Sequence, residues 1–565
     1  MDDGTTKASA WAAINSYALN RRTFLQAAGA VSAVAVLTAC TQNGPEAGVN
    51  GGTAAEAGGG VPGPPWKGGV RGGTAVSLWD DASLTYDPPL AYGRGDYYGL
   101  SNFFRGMTFY GVDVAPELDI AESLDLSADG LVYTFTLRPD VTFHNGRTVV
   151  AQDFKWTYER STSTEIGSWV QGFLGSIQGH AEFVDGTAKE ISGIVAKDDR
   201  TLVLNLSRPD VTILGVLGIP PFYVLPREEV ERLGDKWSES PVGSGPFKLK
   251  SWDSSQRVIT MERYEGYVYG KDLPYFDEVE YRWDVSEDLA YLTVAKNEAD
   301  LTFTVPASAI PKIKQDDEQS ERYKEWGSFT ISWWGFDLSQ APFDDIRVRQ
   351  AVNHAFNRER VATLGFIPTG HFFPESLLGF DETAPVFDYD LEKAKSLLEE
   401  AGASDISFTL PVFGSGAAGR VAQLLQEDLK AVGITVEIEQ LDGLTPYDLG
   451  AELPQKYRMW AMQWGMGLPD PSELVASLIG TDAPSNFNGY SNTTIDEIGA
   501  GATAESDRTK RGASYAEIEK LLLEDAPFLF LGVAAQPSFT SASLQNFYYD
   551  PVLFTYWDRT WKNGS

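Results

Sequence analysis

The chain has 565 residues, too many for one hydrophobic core, so two or three domains are expected. Its 79 acidic against 45 basic residues give a formal charge of −34, which argues against nucleic acid as a partner, because phosphate neutralisation needs the opposite sign. The single cysteine, Cys40, rules out an intramolecular disulfide and any multi-cysteine metal site.

The N-terminal segment reads as an address. Asn20-Arg21-Arg22-Thr23-Phe24-Leu25-Gln26 has the form of a twin-arginine export signal, with Arg21 and Arg22 as its marker pair. The apolar run that follows, 27–39, is about 13 residues long, short of the roughly 20 that span a bilayer. Leu37-Thr38-Ala39-Cys40 then reads as a lipobox. Residues 1–39 are therefore expected to be a cleaved lipoprotein signal peptide, with lipid on Cys40 tethering the mature chain to a membrane outside the cytoplasm. Residues 40–65 are rich in Gly, Ala and Pro, with almost no large apolar side chains to offset the entropy of ordering. They read as a flexible linker spanning about 25–30 Å. Residues 1–40 hold Lys7, Arg21 and Arg22 against Asp2 and Asp3, so the exported part carries about −35. That charge suits solubility and disfavours anionic lipid surfaces. No later apolar run approaches membrane length; the longest candidate, 527–535, is at most a buried strand.

From Trp66 onward the composition is globular. Val132-Tyr133-Thr134-Phe135-Thr136-Leu137 alternates with period two and places Tyr133, Phe135 and Leu137 on one face of a strand. Thr201-Leu202-Val203-Leu204-Asn205-Leu206 does the same after the turn at Asp198-Asp199-Arg200. Farther on, helical spacing takes over. Val348, Val352, Ala355 and Phe356 follow the candidate caps Asp344 and Asp345. Leu391, Ala394, Leu397, Leu398 and Ala401 form a second stripe between Asp390 and Gly402. Val421, Leu424, Leu425, Leu429 and Val432 form a third, closed by Gly433 and followed by the strand Ile434-Thr435-Val436-Glu437-Ile438. Helix, glycine and strand in that order point to α/β packing in the second half.

Several motifs carry no chemistry. Asp125-Leu126-Ser127-Ala128-Asp129-Gly130 begins like a calcium loop, but its twelfth position is Thr136 rather than Glu, so it reads as a turn. Gly243-Ser244-Gly245 lacks the lysine of a phosphate loop. His144, His180, His354 and His371 are too scattered for metal spacing, and no nucleophile–base constellation stands out. No cofactor and no metal are expected, and the chain is not expected to be an enzyme.

The blocks Pro116-Glu117-Leu118-Asp119, Asp129-Gly130-Leu131-Val132-Tyr133, Val141-Thr142-Phe143-His144-Asn145-Gly146 and Ala151-Gln152-Asp153-Phe154 together carry a resemblance. So do Gly243-Ser244-Gly245-Pro246-Phe247, Pro342-Phe343-Asp344-Asp345, Tyr389-Asp390-Leu391-Glu392, Asn488-Gly489-Tyr490-Ser491-Asn492 and Leu523-Glu524-Asp525-Ala526-Pro527. In this order, the sequence resembles the family 5 extracellular solute-binding proteins, the oligopeptide, dipeptide and nickel-type receptors of ABC importers. The resemblance implies an α/β, two-lobed periplasmic-binding-protein-like fold (type II, cluster C) with an extra β-rich subdomain. Lobe I is then expected at 66–96, 206–328 and 528–565, with the inserted subdomain at 97–205; lobe II is expected at 329–527. It also implies a monomer that holds its ligand between the lobes and delivers it to ABC permease subunits.

The ligand site is expected near the crossing Thr330-Ile331-Ser332-Trp333-Trp334-Gly335-Phe336-Asp337. Neighbouring side chains of a strand face opposite ways, so one of Trp333 and Trp334 is expected to look into the cleft. The stretch Trp460-Ala461-Met462-Gln463-Trp464-Gly465-Met466-Gly467-Leu468-Pro469-Asp470-Pro471 resembles the family's Trp–x–x–Asp–x–x–Asp–Pro block. In peptide-binding members the first aspartate pairs with the ligand's α-amino group; here its position is Gly467, while Trp464 remains as a pocket candidate. Tyr86, Tyr92, Tyr97, Tyr98 and Trp169 are further aromatics suited to flat ligand surfaces, with Tyr86 and Trp169 the expected contacts. An oligopeptide-type ligand is the leading expectation and an oligosaccharide the alternative. A secreted glycoside hydrolase is the rival from another class, and it would need two carboxylates across a cleft.

Overall fold

The computed structural model describes residues 69–80, 85–91, 94–111, 114–270, 273–414, 416–550 and 554–563. Arg21, Arg22, Cys40, the 40–65 linker and Tyr92 lie outside them. The largest element is a nine-stranded mixed sheet. Its strands run in the order Met459–Gly465, Tyr323–Phe336, Phe528–Thr540, Leu301–Thr302, Thr74–Leu78, Glu278–Arg282, Val258–Arg263 and Phe247–Asp253, and Phe366–Pro368 pairs with Phe528–Thr540 off this path. Two members are far longer than the rest: Tyr323–Phe336, with 14 residues, and Phe528–Thr540, with 13. They run antiparallel from Tyr323↔Phe539 to Gly335↔Phe528, and their register slips twice on the way, between Gly327 and Ile331 and between Ser332 and Trp333. One end of the pair continues through Leu301–Thr302 and Thr74–Leu78 into a first lobe. The other carries Met459–Gly465 and belongs to a second. The two lobes are thus joined by a hydrogen-bonded strand pair.

Two apolar bodies belong to one side each, and a third, the largest, runs from Tyr133 and Phe135 of the inserted unit to Trp333, Phe372 and Tyr515. The first gathers Ala75, Tyr98, Phe103, Trp237, Phe276 and Trp557 among others. The second closes around Trp334, Phe356, Leu398, Leu410, Leu425 and Leu529. A separate antiparallel four-stranded sheet, Ala121–Leu126, Val132–Leu137, Thr201–Asn205 and Ile194–Ala196, is backed by the helix Ala151–Thr162. Tyr133, Phe135 and Leu137 are fully buried on one face, as their alternation predicts. This unit is fixed to the first lobe by the Arg160–Asp87 ion pair at 2.6 Å and by Ser161 Oγ donating to Pro221 O at 2.6 Å.

Local rules account for the second-half helices. Ile346–Ala355 starts where Asp345 accepts from Arg347 N, and Leu391–Glu400 where Asp390 accepts from Glu392 and Lys393 N. Gly402 and Gly433 end their helices with φ of +64° and +88°. After Gly433, Thr435–Leu441 pairs in parallel with Ser407–Phe413. The 125–130 stretch ends the strand Ala121–Leu126 and turns at 128–129, with Ser127 Oγ donating to Asp129 Oδ1 at 2.6 Å.

The Gly243-Ser244-Gly245 block is structural. A Cβ on either glycine would fall 2.6 Å from Phe103 C, so only glycine permits this backbone approach. His144 clamps the turn: its Nδ1 accepts from Gly243 N at 3.1 Å and its Nε2 donates to Gly245 O at 3.1 Å. Burial pushes its pKa down to about 3, which keeps the ring neutral. Among the described residues no helix is long and apolar enough to cross a membrane.

Candidate functional site

The strand Met459–Gly465 delivers Trp464 to a bend, Met466-Gly467-Leu468, that ends at the short helix Pro471–Leu474. Asp470 caps that helix by accepting from Ser472 N. Glu473, one turn on, points back and gathers the bend around its carboxylate. Its Oε1 accepts from Trp464 Nε1 at 2.9 Å and from Gly467 N at 3.2 Å, and its Oε2 accepts from Leu468 N at 2.5 Å. Burial pushes the Glu473 pKa up to about 7, against the pull of the three N–H donors, and neighbouring Asp470 adds to the rise. Glu473 as a whole residue is half-buried.

The first lobe reaches this bend through Trp169. A Cβ on Gly467 would lie 2.6 Å from Trp169 Cη2, so the indole occupies the volume that any residue-467 side chain would need. Trp169 is held there by Nε1 donating to Ala91 O at 2.9 Å and by an edge-on contact with Phe173 at 5.3 Å. Elsewhere between the same two sides, Val211 N donates to Thr503 O at 2.9 Å, and Gly215 lies against Leu468. Tyr447 extends the aromatic lining, its ring 6.1 Å from Trp464. Asp470 is fully engaged, by an ion pair to Arg511 and by Tyr515 Oη at 3.3 Å.

The structure therefore brings together three expected residues, Trp464, Gly467 and Trp169. It separates the others. Trp333 and Trp334 are each only 2% exposed, so neither looks into a cleft. Trp333 packs on Phe372 and Phe528, and Trp334 on Phe356 across the sheet. The alternation holds; the cleft assignment fails because apolar side chains cover this strand on both faces. Tyr86 is 1% exposed, wedged edge-on between Phe103 and Trp252, and belongs to the core of the first lobe. Tyr98 is likewise buried, sharing a 2.6 Å hydrogen bond with Ser77 Oγ. Sequence reasoning missed Glu473 and Tyr447. The one signal for Glu473 is an acid three residues after a capping Asp470, and that pattern reads as a helix start.

The long strand pair joins the two sides of the molecule, and Trp169 from one side meets the bend after the strand Met459–Gly465 from the other. A family model for bacterial extracellular solute-binding proteins, family 5, matches residues 115–486, more than half of the chain, which therefore belongs to that family. Among curated relatives, it is similar to the glutathione-binding protein GsiB of Pectobacterium atrosepticum, 26% identical over 480 residues, covering 82% of this chain and 88% of the relative. It is also similar to the dipeptide-binding protein DppE of Bacillus subtilis, 26% identical over 473 residues, with 80% and 84% covered. HbpA2 of Haemophilus parasuis shares the fold, with a TM-score of 0.78 at 18% identity over 87% of this chain and all of that one.

Proposed function

We propose that this protein is the extracytoplasmic, lipid-tethered receptor of an ABC importer and that it captures an oligopeptide-type ligand between its lobes. The ligand touches both sides of the recess at Trp464 and Trp169, so its binding energy stabilises the closed arrangement and shifts the population toward it. The permease then takes up the closed form. The twin-arginine segment, with Arg21 and Arg22, supplies export, and Cys40 supplies the anchor. Lobe I comprises 66–96, 206–328 and 528–565 with the 97–205 insertion, and lobe II comprises 329–527. The observation that carries the reading is the meeting of Trp169 with Gly467 in the bend that follows the strand Met459–Gly465. Relatives named for glutathione and dipeptide binding favour a peptide over a sugar. Hydrolysis is disfavoured because the recess offers one carboxylate, Glu473, while Asp470 is consumed by Arg511.

The test is a thermal-shift screen of the purified chain against peptides and oligosaccharides. A peptide at 100 times its dissociation constant adds about 2.7 kcal/mol of stability. A shift with oligosaccharides alone, or turnover of any of them, overturns the peptide reading.

A further inference from the structure

We propose that a free small carboxylate, of the size of acetate, binds in a cavity between the two sides of the molecule, held by Tyr110 from one and Arg511 from the other. The site is separate from the one assigned to the transported solute, and it does not depend on what that solute is.

The cavity encloses about 300 Å³, part of it open to solvent. One side of the molecule supplies Tyr110, at the end of the strand Thr108–Tyr110, and Val211. The other supplies Pro469 and Asp470 from the bend, and Arg508 and Arg511 from the helix Arg508–Asp525. Two donors in this lining have no partner among the described residues. Tyr110 is 2% exposed and its Oη makes no hydrogen bond; Arg511 is 8% exposed and its Nε makes none. Folded proteins pair nearly all such buried groups, with protein atoms or with a bound species. Gly215 is what lets the hydroxyl reach its position, since a Cβ there would lie 2.6 Å from Tyr110 Oη.

The chemistry of the two groups selects the occupant. Arg511 Nε has a proton to give and no lone pair to offer. Burial pushes the Tyr110 pKa well up, and Asp470 adds to the rise, so the phenol keeps its proton and can donate as well. Both positions call for an acceptor, which excludes an ammonium group or a metal cation. A water molecule answers the two donors but not the charge around them. Two guanidiniums, on Arg508 and Arg511, line the cavity against one carboxylate, Asp470. Asp470 is committed: it pairs with Arg511 Nη2 through Oδ2, and its Oδ1 accepts from Ser472 N at 3.0 Å and from Tyr515 Oη at 3.3 Å. One positive charge is left over, and a monoanion matches it where phosphate or sulfate would bring too much charge. A carboxylate also presents two oxygens, one for each donor, and the small, partly apolar space suits a molecule of few atoms. Because the donors come from opposite sides, an anion held by both stabilises only the arrangement in which they face one another, and so favours closure.

The experiment uses the purified full chain without peptide, titrated with sodium acetate and, at matched ionic strength, with sodium chloride, and read by thermal shift. General salt effects grow steadily with concentration and act alike on parent and variant, whereas a site saturates. Acetate is expected to raise the melting temperature to a plateau that chloride does not reproduce. Tyr110→Phe removes the hydroxyl and keeps the ring; it is expected to need at least about tenfold more acetate for the same shift. Arg508→Gln, at an exposed position, reads the charge independently should the core variant fold poorly, and is expected to weaken the acetate response several-fold. No plateau with acetate overturns the proposal, as does an equal plateau with chloride or a full acetate response in both variants. A peptide response that Tyr110→Phe abolishes while acetate stays silent would assign the cavity to the solute's own carboxylate and overturn the separate site. None of these outcomes bears on whether peptides or sugars are the transported cargo, which the ligand screen decides.

Discussion

Replacing Gly467 by alanine tests whether the two lobes meet where the structure places them. The new Cβ would lie 2.6 Å from Trp169 Cη2, far inside van der Waals contact. The bend cannot recede, because Gly467 N and Leu468 N are both held by Glu473. The indole must therefore move and give up its 2.9 Å hydrogen bond to Ala91 O. Overpacking of this kind costs about 1–3 kcal/mol, and the lost hydrogen bond about 0.5–1.5. Because the contact joins different lobes, the cost falls on closure rather than on either core. A loss of about 2 kcal/mol moves the open–closed ratio roughly 30-fold toward open. Solution scattering of the unliganded protein is expected to show a larger radius of gyration for Gly467→Ala than for the parent. The decisive assay is a double-mutant cycle. In a Trp169→Ala background the added methyl meets no ring, so Gly467→Ala should become nearly silent, with a coupling of about 2 kcal/mol in ligand-free urea unfolding or in the scattering-derived equilibrium. Additivity within about 0.5 kcal/mol would refute the contact.

Three other perturbations follow from the same geometry. Asp470→Asn leaves the buried Arg511 guanidinium without its counter-charge, and a loss of about 3–5 kcal/mol is expected in urea unfolding, against little change for a surface pair such as Lys395–Glu392. His144 has a folded pKa of about 3, below its ordinary 6.5, so the unfolded chain binds the proton first. Its share of stability is present above pH 6.5 and lost as pH falls toward 3, by at most about 1.4 kcal/mol per unit; His144→Gln should lose less stability between pH 7 and pH 4.5 than the parent, and equal losses would refute the clamp. Trp464→Ala removes a recess wall and one donor to Glu473 and should abolish the peptide-induced thermal shift, while the unliganded melting point moves little because the ring is only half-buried.

Features set by near neighbours are legible in the sequence. The cap at Asp390, the stop at Gly402 and the stripe between them are consecutive in the chain, and the helix Leu391–Glu400 fits between them. Alternation places Tyr133, Phe135 and Leu137 correctly because one sheet face is buried and the side-chain period is two. Trp333 and Trp334 show where that logic stops. Alternation sends them to opposite faces, but whether a face is cleft or core depends on Phe372, Phe528 and Phe356, which arrive from elsewhere in the chain. Gly467 stands out as the departure from a motif, and Trp169 as an aromatic in the inserted unit. Their contact is tertiary and leaves no local trace.

The hinge explains why that one contact carries weight. Where the strands Tyr323–Phe336 and Phe528–Thr540 cross between lobes, their ladder breaks register between Gly327 and Ile331. Ser328 Oγ bridges to Ala534 O at 2.9 Å across the break, in place of regular ladder pairing. A strand pair with an interrupted ladder bends at lower cost than a continuous one, because fewer backbone hydrogen bonds must distort together. The contacts between the two sides include Trp169 on Gly467, Val211 N on Thr503 O, Gly215 on Leu468 and an apolar cluster running from Tyr133 and Val216 to Leu468 and Trp333. The contacts of Trp169 include the hydrogen bond to Ala91 O, the edge-on ring of Phe173 and apolar packing, and a ligand entering between the indole and the bend would have to part Trp169 from Gly467. Capture then amounts to exchanging an internal aromatic contact for an external one, and Gly467→Ala probes the internal half of that exchange.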